Sequence, residues 1–140
     1  MTKIPAALIK EYKASNFIFY PENGIDVIKV GKRNKYLDQI LRRENIKSSV
    51  FITAWNPYSK NMTPKKNEKN QDSLIRLLTK KKIQIIFGQG RSPDLKCFED
   101  SILALGVSKE DAVKFGKRFK QNAVVYYEIN RKAELLFCNS

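Results

Sequence analysis

The polar residues that could do chemistry in this sequence gather beside two apolar runs. Thr53 and Asn56 lie at the end of SVFITAW, residues 49–55, and Glu99 comes just before SILAL, residues 101–105. Ligands of open α/β sheets bind beyond strand ends, where the loops diverge. A carboxylate such as Glu99 can act there as a general base. We predict that these two runs are neighbouring strands and that Thr53, Asn56 and Glu99 share one rim of the sheet.

Two further side chains could add to this site, each with a simpler alternative. Trp55 could stack on a base or ring, although packing in the core is favoured for it, and Asn56 could instead form an Asx turn before Pro57. Arg91 follows Gly88-Gln89-Gly90, which could grip a phosphate but lacks the Walker pattern and a following helix. A tight turn is therefore the favoured explanation of both glycines. Glu99 could also simply form an ion pair with Arg91 or another of the many cations.

Positive charge is the dominant feature of the composition. There are 27 Lys and Arg against 14 Asp and Glu, a formal net charge of +13. Such a field attracts nucleic acid, nucleotides or an acidic protein, and the alternative is a solvated surface that only keeps the protein soluble. The basic clusters could form one phosphate-binding surface if the fold brings them together: Arg42 and Arg43; Lys80, Lys81 and Lys82; and the helical stripe Lys114, Lys117 and Arg118. Asn122 follows that stripe and is predicted to cap its helix or to join a network with Asn56.

Several classes of chemistry are excluded by what the sequence lacks. It contains no histidine, which rules out Ser-His-Asp and Cys-His nucleophiles and histidine-ligated metals within this chain. Cys97 and Cys138 match no zinc spacing and are expected to be free thiols. We therefore predict no metal site for zinc or iron and no cofactor, whereas weak binding of Mg²⁺ through Glu99 or Asp100 is compatible with the sequence. No apolar run approaches the ~20 residues that span a bilayer, and the N-terminus does not resemble a secretory signal, so a cytoplasmic protein without membrane contact is expected.

The elements that must position these residues alternate between helix and strand. The chain is expected to be one domain, residues 1–140. A short helix at 5–13 precedes a hairpin around Asn23-Gly24, and a helix at 34–44 precedes the strand 49–55. Thr63-Pro64 opens a helix, and the strand 83–87 is expected to end at Gly88. A strand within 98–107, a helix capped by Ser108 and two strands at 123–129 and 133–138 follow. The order helix-β-β-α-β-α-β-β-α-β-β predicts an α/β (α+β) fold, a mixed β-sheet with helices packed on it.

Six motifs in a fixed order carry a resemblance: Thr53-Ala54-Trp55-Asn56-Pro57, Asn67, Gly88 with Gly90, Glu99 with Ser101, Leu105-Gly106-Val107-Ser108, and Phe119-Lys120-Gln121-Asn122-Ala123. In this combination the chain, from about residue 51 onward, resembles a family of small bacterial proteins catalogued as a domain of unknown function. Lys120 stands where that family usually has glycine. The resemblance implies a fold and a bacterial cytoplasmic setting, and it implies no activity.

Three functions are compatible with these observations. The leading hypothesis is a non-catalytic or regulatory protein that binds nucleic acid or another polyanion. The alternative is an enzyme acting on a nucleotide-like or phosphorylated substrate, with Glu99, Asn56, Thr53 and Arg91 around one pocket. The third is an adaptor for an acidic protein partner. A closed polar pocket would favour the enzyme, and an open basic face with exposed aromatic side chains would favour binding.

Overall fold

The computed structural model describes residues 4–138 and contains the predicted elements in the predicted order. The helices are α1 (Ala6–Ala14), α2 (Lys35–Arg43), α3 (Pro64–Lys80) and α4 (Lys109–Arg118), and a 3₁₀ turn spans Pro57–Ser59. The strands are β1 (Asn16–Phe19), β2 (Asp26–Ile28), β3 (Ser48–Ile52), β4 (Ile85–Arg91), β5 (Phe98–Leu105), β6 (Ala123–Glu128) and β7 (Glu134–Phe137).

All these strands form one curled sheet in the order β2-β1-β4-β5-β3-β6-β7. The predicted α/β class, with helices packed on a sheet, is confirmed. The sheet is less mixed than the sequence suggests, since every pairing between named strands is antiparallel and parallel pairing occurs only at a bridge between Val30 and Ala133. Three of these six pairings (β1 with β2, β4 with β5 and β6 with β7) join consecutive strands as hairpins, which can only be antiparallel.

Local capping signals are confirmed where the sequence placed them. The Thr63 hydroxyl accepts a hydrogen bond from the Lys66 N–H and begins α3, with Pro64 in its first turn, and Ser108 likewise accepts from Asp111 N–H and begins α4. The hairpin around Asn23-Gly24 is also confirmed by the pairing of β1 with β2. These signals succeed because each depends on residues only a few positions apart.

The strand β4 corrects the expectation that Gly88 and Gly90 form a turn. It runs without interruption to Arg91, and Gly88 pairs with Phe19 on one side and Ser101 on the other. A Cβ at Gly88 would collide with the carbonyl oxygen of Ile18 and lie 3.0 Å from the Phe51 ring. Neighbouring chains thus approach too closely here for any side chain, which is one reason for glycine within a strand.

The core has two layers, one on each face of the sheet. Alternate residues of a strand point to opposite faces. On one face α2 packs with Leu37 and Leu41 against Phe51, Leu103 and other strand residues. On the other face α3 and α4 pack with Leu74, Leu78 and Ala112 against Val50, Ile52 and their neighbours. We call these the α2 face and the α3/α4 face.

Two smaller expectations can be compared with the structure. Cys97 is exposed and Cys138 is buried, and both are free thiols, as predicted. Across the described residues, no helix has the length and apolar character that crossing a bilayer requires.

Candidate functional site

A cavity of about 310 Å³ lies on the α2 face of the sheet, at the end where β3 stops. Its floor is formed by strand positions that face this side of the sheet, among them Phe17, Phe51, Gly90 and Ser101. Helix α1 borders it with Leu8, Glu11 and Tyr12. The loop after β3 supplies Thr53, Asn56, Ser59 and Asn61.

Small residues on neighbouring strands help to leave this space open. Gly90 lies opposite Glu99, and the next position of β5 that points to the same face is Ser101. Ala123 begins β6 at the same end of the sheet, and all three small residues line the cavity. A Cβ at Gly90 would meet only atoms 3.7 Å or more away, so the cavity, and not a steric conflict, occupies the place of its side chain.

Glu99 is the carboxyl group of this cavity whose pKa its surroundings shift. Burial raises the pKa of its carboxyl group above the ordinary value, the hydrogen bond from Asn56 opposes that rise, and the negative charge of Glu11 on α1 adds to it. Asn56 Nδ2 donates to Glu99 Oε2 at 3.0 Å. Among the described residues, none forms an ion pair with Glu99, so the alternative of pairing with Arg91 or another cation is wrong within residues 4–138. Arg91 Nε donates to Gln89 Oε1 at 2.7 Å instead.

Asn56 is held rigidly in place. Its backbone is left-handed (φ 43°, ψ 65°), and its N–H donates to Asn67 Oδ1 at 2.8 Å. Its Oδ1 accepts from Asn67 Nδ2 at 2.9 Å and from the Met62 N–H at 3.0 Å. Asn67 is 2% exposed and belongs to α3. The buried side chain of Asn67 thereby fixes the amide that binds Glu99.

Thr53 ties the ends of two strands together. Its hydroxyl donates to the carbonyl oxygen of Asp100 at 2.6 Å and accepts from the Trp55 N–H at 3.0 Å. The prediction that Thr53, Asn56 and Glu99 lie together on one rim is therefore confirmed. The strand itself ends at Ile52, earlier than predicted, because Thr53 begins the turn that leads to the left-handed Asn56.

Trp55 is partly buried beside the cavity without lining it. Its carbonyl oxygen accepts from Gln121 Nε2 at 3.1 Å. Its ring Nε1 is buried and has no hydrogen-bond partner in the part of the chain that the structure describes. Stacking of Trp55 on a ligand in this cavity therefore has no support from the geometry.

Asn122 joins α1 to the loop after β3. Its Nδ2 donates to Ser59 Oγ at 3.1 Å and to the Tyr12 hydroxyl at 3.4 Å, and these two hydroxyls lie 2.9 Å apart. Lys120, two residues earlier, has φ 58°, the left-handed region that favours glycine. Its carbonyl accepts from the Tyr58 N–H at 2.7 Å. The segment from Lys120 to Asn122 thus holds α1 and the turn Pro57–Ser59 together beside the cavity.

The three basic clusters do not form one surface. Arg42 and Arg43 end α2 on one face of the sheet, whereas the stripe Lys114, Lys117 and Arg118 belongs to α4 on the other. Lys80, Lys81 and Lys82 precede β4 at the end of the sheet remote from the cavity, because Gln84 bonds Leu105 at the far end of β5. Lys114 also pairs with Glu110 at 3.3 Å.

Sequence patterns did not indicate that α1 takes part in the site. Glu11 and Tyr12 reach the cavity only because α1 packs across the strand ends. Glu11 is more than 80 positions from Glu99 in the sequence, yet its charge acts on the Glu99 carboxyl group. Asn67 is the residue that could have been found, since it belongs to the motifs that carry the family resemblance. Within residues 4–138, no three His, Cys, Asp or Glu side chains come together as a metal ion would require.

The resemblance to a family of unknown function can be compared with known proteins. A family of proteins of unknown function, DUF3293, matches residues 52–124, which include Thr53, Asn56, Asn67, Glu99 and Asn122. No curated protein and no solved structure matches the chain. That match covers more than half of the chain and confirms the resemblance to a family of unknown function, so the protein belongs to the DUF3293 family.

Proposed function

We propose that the protein is an enzyme that acts on a small polar molecule bound in the cavity, with Glu99 as general acid and base. The observation that carries this proposal is a carboxyl group of raised pKa in a cavity of about 310 Å³. A carboxyl group whose pKa lies closer to neutrality can both accept and return a proton during a reaction. Perturbed acids in clefts are also typical of functional sites.

The way in which Glu99 is held supports the same role. Asn56 binds Oε2, and Oε1 has no hydrogen-bond partner among the described residues. A substrate hydroxyl or amine could therefore bind Oε1 while Asn56 keeps the carboxyl group oriented. Proton transfer to Oε1 would neutralise Glu99 and remove its repulsion with Glu11. The loss of this repulsion favours the state in which Glu99 holds the proton between its removal from the substrate and its return.

The lining favours a substrate with a planar ring and several hydrogen-bonding groups. Phe17 and Phe51 meet edge to face, with ring centroids 5.4 Å apart, on the cavity floor. Asn61, Ser59 and Gln121 also line the cavity and carry amide or hydroxyl groups. Arg91 at the border and the net charge of +13 would attract an anion, so a nucleotide-like or phosphorylated substrate is the class that we propose.

The proposal can be tested with a panel of nucleosides, nucleoside monophosphates and sugar phosphates. We expect one of these classes to raise the melting temperature of the protein and Glu99→Gln to abolish turnover of the bound compound while preserving the fold. Asp94→Asn is the matched control, because Asp94 is an exposed carboxylate of the loop between β4 and β5. Equal turnover by Glu99→Gln would contradict the role of Glu99.

A second candidate function is the non-catalytic binding of nucleic acid or another polyanion, which the net charge of +13 favours. Binding to a mixed-sequence oligonucleotide should then weaken steeply as salt rises. Binding that instead requires a folded acidic protein would favour an adaptor. We propose a bacterial cytoplasmic setting for any of these functions, because the family resemblance implies it and because the exposed free thiol of Cys97 suits a reducing compartment.

A further inference from the structure

The α3/α4 face of the sheet is only partly covered by helices. Helices α3 and α4 pack over β3, β6 and the second half of β5, where Ile102 and Ala104 are buried. Over β1 and β4 the same face carries large apolar side chains that solvent reaches. Tyr20 is 40% exposed and Phe87 is 59% exposed. Exposed antiparallel sheet faces usually carry polar side chains, so these aromatic residues need an explanation.

The register of the strands places these rings side by side. Phe87 pairs with Ile102, which is buried under α3, so Phe87 points to the α3/α4 face. The Tyr20 N–H donates to the Phe87 carbonyl at 2.9 Å, and the pairing of Phe19 with Gly88 makes Tyr20 the residue opposite Phe87. Cross-strand neighbours on one face have Cβ atoms about 4.5–5.5 Å apart. The two rings therefore form one continuous aromatic patch.

Cations and a second ring lie further along the same face. Arg91 is four residues from Phe87, which is about 13 Å along a strand, and its guanidinium lies 5.7 Å from the centroid of Phe98. Asn16 is opposite Arg91 and binds Lys29 Nζ at 3.1 Å. Phe98 is 52% exposed, and both it and Arg91 also border the cavity.

The charge of this region matches a polyanion. Lys29 and Arg91 lie at one end of the aromatic patch, and Lys80, Lys81 and Lys82 lie at the other, between α3 and the start of β4. Asp100 is the carboxylate that alternation places on the same face, beside Gln89. Cations at both ends of a row of exposed rings suit a chain of phosphates that carries planar bases.

We propose that this surface, defined by Tyr20, Phe87, Gln89, Arg91 and Phe98 and called here the open sheet face, binds single-stranded nucleic acid by stacking bases on its rings. Its length accommodates two or three bases, as on other sheets that bind single strands through aromatic residues. A duplex hides the faces of its bases and cannot stack in this way. The inference does not depend on an enzymatic role of Glu99, which lies on the opposite face of the sheet.

The test measures binding of the protein, by fluorescence anisotropy at low salt, to a labelled oligo(dT) or oligo(rU) of twelve nucleotides and to a mixed-sequence duplex. We expect the protein to bind the single strands more tightly than the duplex. Phe87→Ala and Tyr20→Ala should each weaken single-strand binding, by roughly five- to a hundredfold per lost stacking contact. Tyr58→Ala and Phe137→Ala are matched controls, since these exposed rings (46% and 42%) lie outside the open sheet face and should change affinity little.

Phe87→Leu separates stacking from apolar contact, because it retains apolar area and loses the ring. It should lose as much affinity as Phe87→Ala, and circular dichroism should show that all variants remain folded. Affinity unaffected by Phe87→Ala and Tyr20→Ala would overturn the proposal, even if Lys80→Gln, Lys81→Gln and Lys82→Gln together reduced it. That result would support only the general polyanion function. Equal binding of duplex and single strand, or self-association that Phe87→Ala abolishes in place of oligonucleotide binding, would overturn it as well.

Discussion

At the scale of single residues, the arrangement around Glu99 is a relay of amides. Asn67, which is buried in α3, holds both the backbone N–H and the side-chain oxygen of Asn56. Asn56 can then present its Nδ2 to Glu99 in only one direction. An asparagine tolerates the left-handed backbone at position 56 better than most residues, and it supplies the donor that glycine would lack. The backbone turn at position 56 and the orientation of the Glu99 carboxyl group thus depend on the same side chain, that of Asn56.

This relay predicts a change in the pKa of Glu99 when Asn67 is altered. Asn67→Ala removes two hydrogen bonds from Asn56, which should loosen the bond that lowers the pKa of Glu99 and let burial raise that pKa further. Carbon-13 NMR titration of the Glu99 carboxyl group measures the shift. Asn61→Ala is the control, because Asn61 lines the cavity and contributes no bond to the relay. An unchanged titration in Asn67→Ala would show that Asn56 needs no support from α3.

The raised pKa of Glu99 also predicts how stability depends on pH. A carboxyl group whose pKa is higher in the folded state than in the unfolded state favours folding at low pH, and that contribution is lost as pH rises through the folded-state pKa. Glu99→Gln removes this dependence. The free energy of unfolding of Glu99→Gln relative to wild type should therefore increase from about pH 4 toward neutrality, as measured by urea denaturation. A constant difference across that range would contradict the raised pKa.

At the scale of elements, β4 connects the two functional proposals. Its residues alternate between the cavity, which Gly90 borders, and the open sheet face, which Phe87 and Arg91 form. A strand with helices over both faces would bury both sets. Here α3 and α4 cover β3, β6 and part of β5 and leave much of this side of β4 uncovered.

The glycines of β4 predict opposite outcomes for one substitution. Gly88→Ala should destabilise the fold by several kcal/mol, because its methyl group would collide with the Ile18 carbonyl oxygen of the adjacent strand, which cannot move freely. Gly90→Ala should leave stability unchanged or raise it by up to about 1 kcal/mol, since alanine is more favourable than glycine within a strand.

The same Gly90→Ala variant tests the cavity. Its methyl group would enter the cavity and should weaken the binding of any compound that raises the melting temperature of the wild type. Thermal unfolding of the two variants, with and without such a compound, measures both effects. Unaltered ligand binding by a stable Gly90→Ala protein would mean that the ligand occupies a different place.

Sequence reasoning succeeded where the signal was local and failed where the partner was distant. The hairpin at Asn23-Gly24 and the cap at Thr63 follow from a few adjacent residues, and the meeting of Asn56 with Glu99 follows once their apolar runs are neighbouring strands. The sequence predicts a turn at Gly88 and Gly90 because glycine is typical of turns. At Gly88 the glycine is explained instead by the close approach of Ile18, some 70 positions away, and at Gly90 the cavity takes the place of a side chain.

At the scale of the whole molecule, charge is the property that acts over the longest distance. With 27 cations against 14 anions, the folded state brings like charges together, and that repulsion opposes folding. Ion pairs relieve part of it locally, such as Lys109 with Glu134 at 3.0 Å, but these lie on the surface and contribute little. Screening by salt should therefore stabilise this protein, in addition to any effect on its partners.

We expect the free energy of unfolding, from urea denaturation, to rise between about 0.02 M and about 0.3 M sodium chloride, as the screening length shortens.

Lys66→Glu and Lys81→Glu each lower the net charge by the same amount and differ in position. Lys66 lies in the first turn of α3, where the N–H groups favour a carboxylate, whereas Lys81 follows its last turn, where a cation is favoured. Lys66→Glu should stabilise the protein by about 1 kcal/mol at low salt, and Lys81→Glu should gain less or lose stability. If repulsion across the whole molecule dominates, the two variants will gain equally and the gain will disappear at high salt. If neither the variants nor salt changes stability, the positive charge is dispersed too widely to oppose folding.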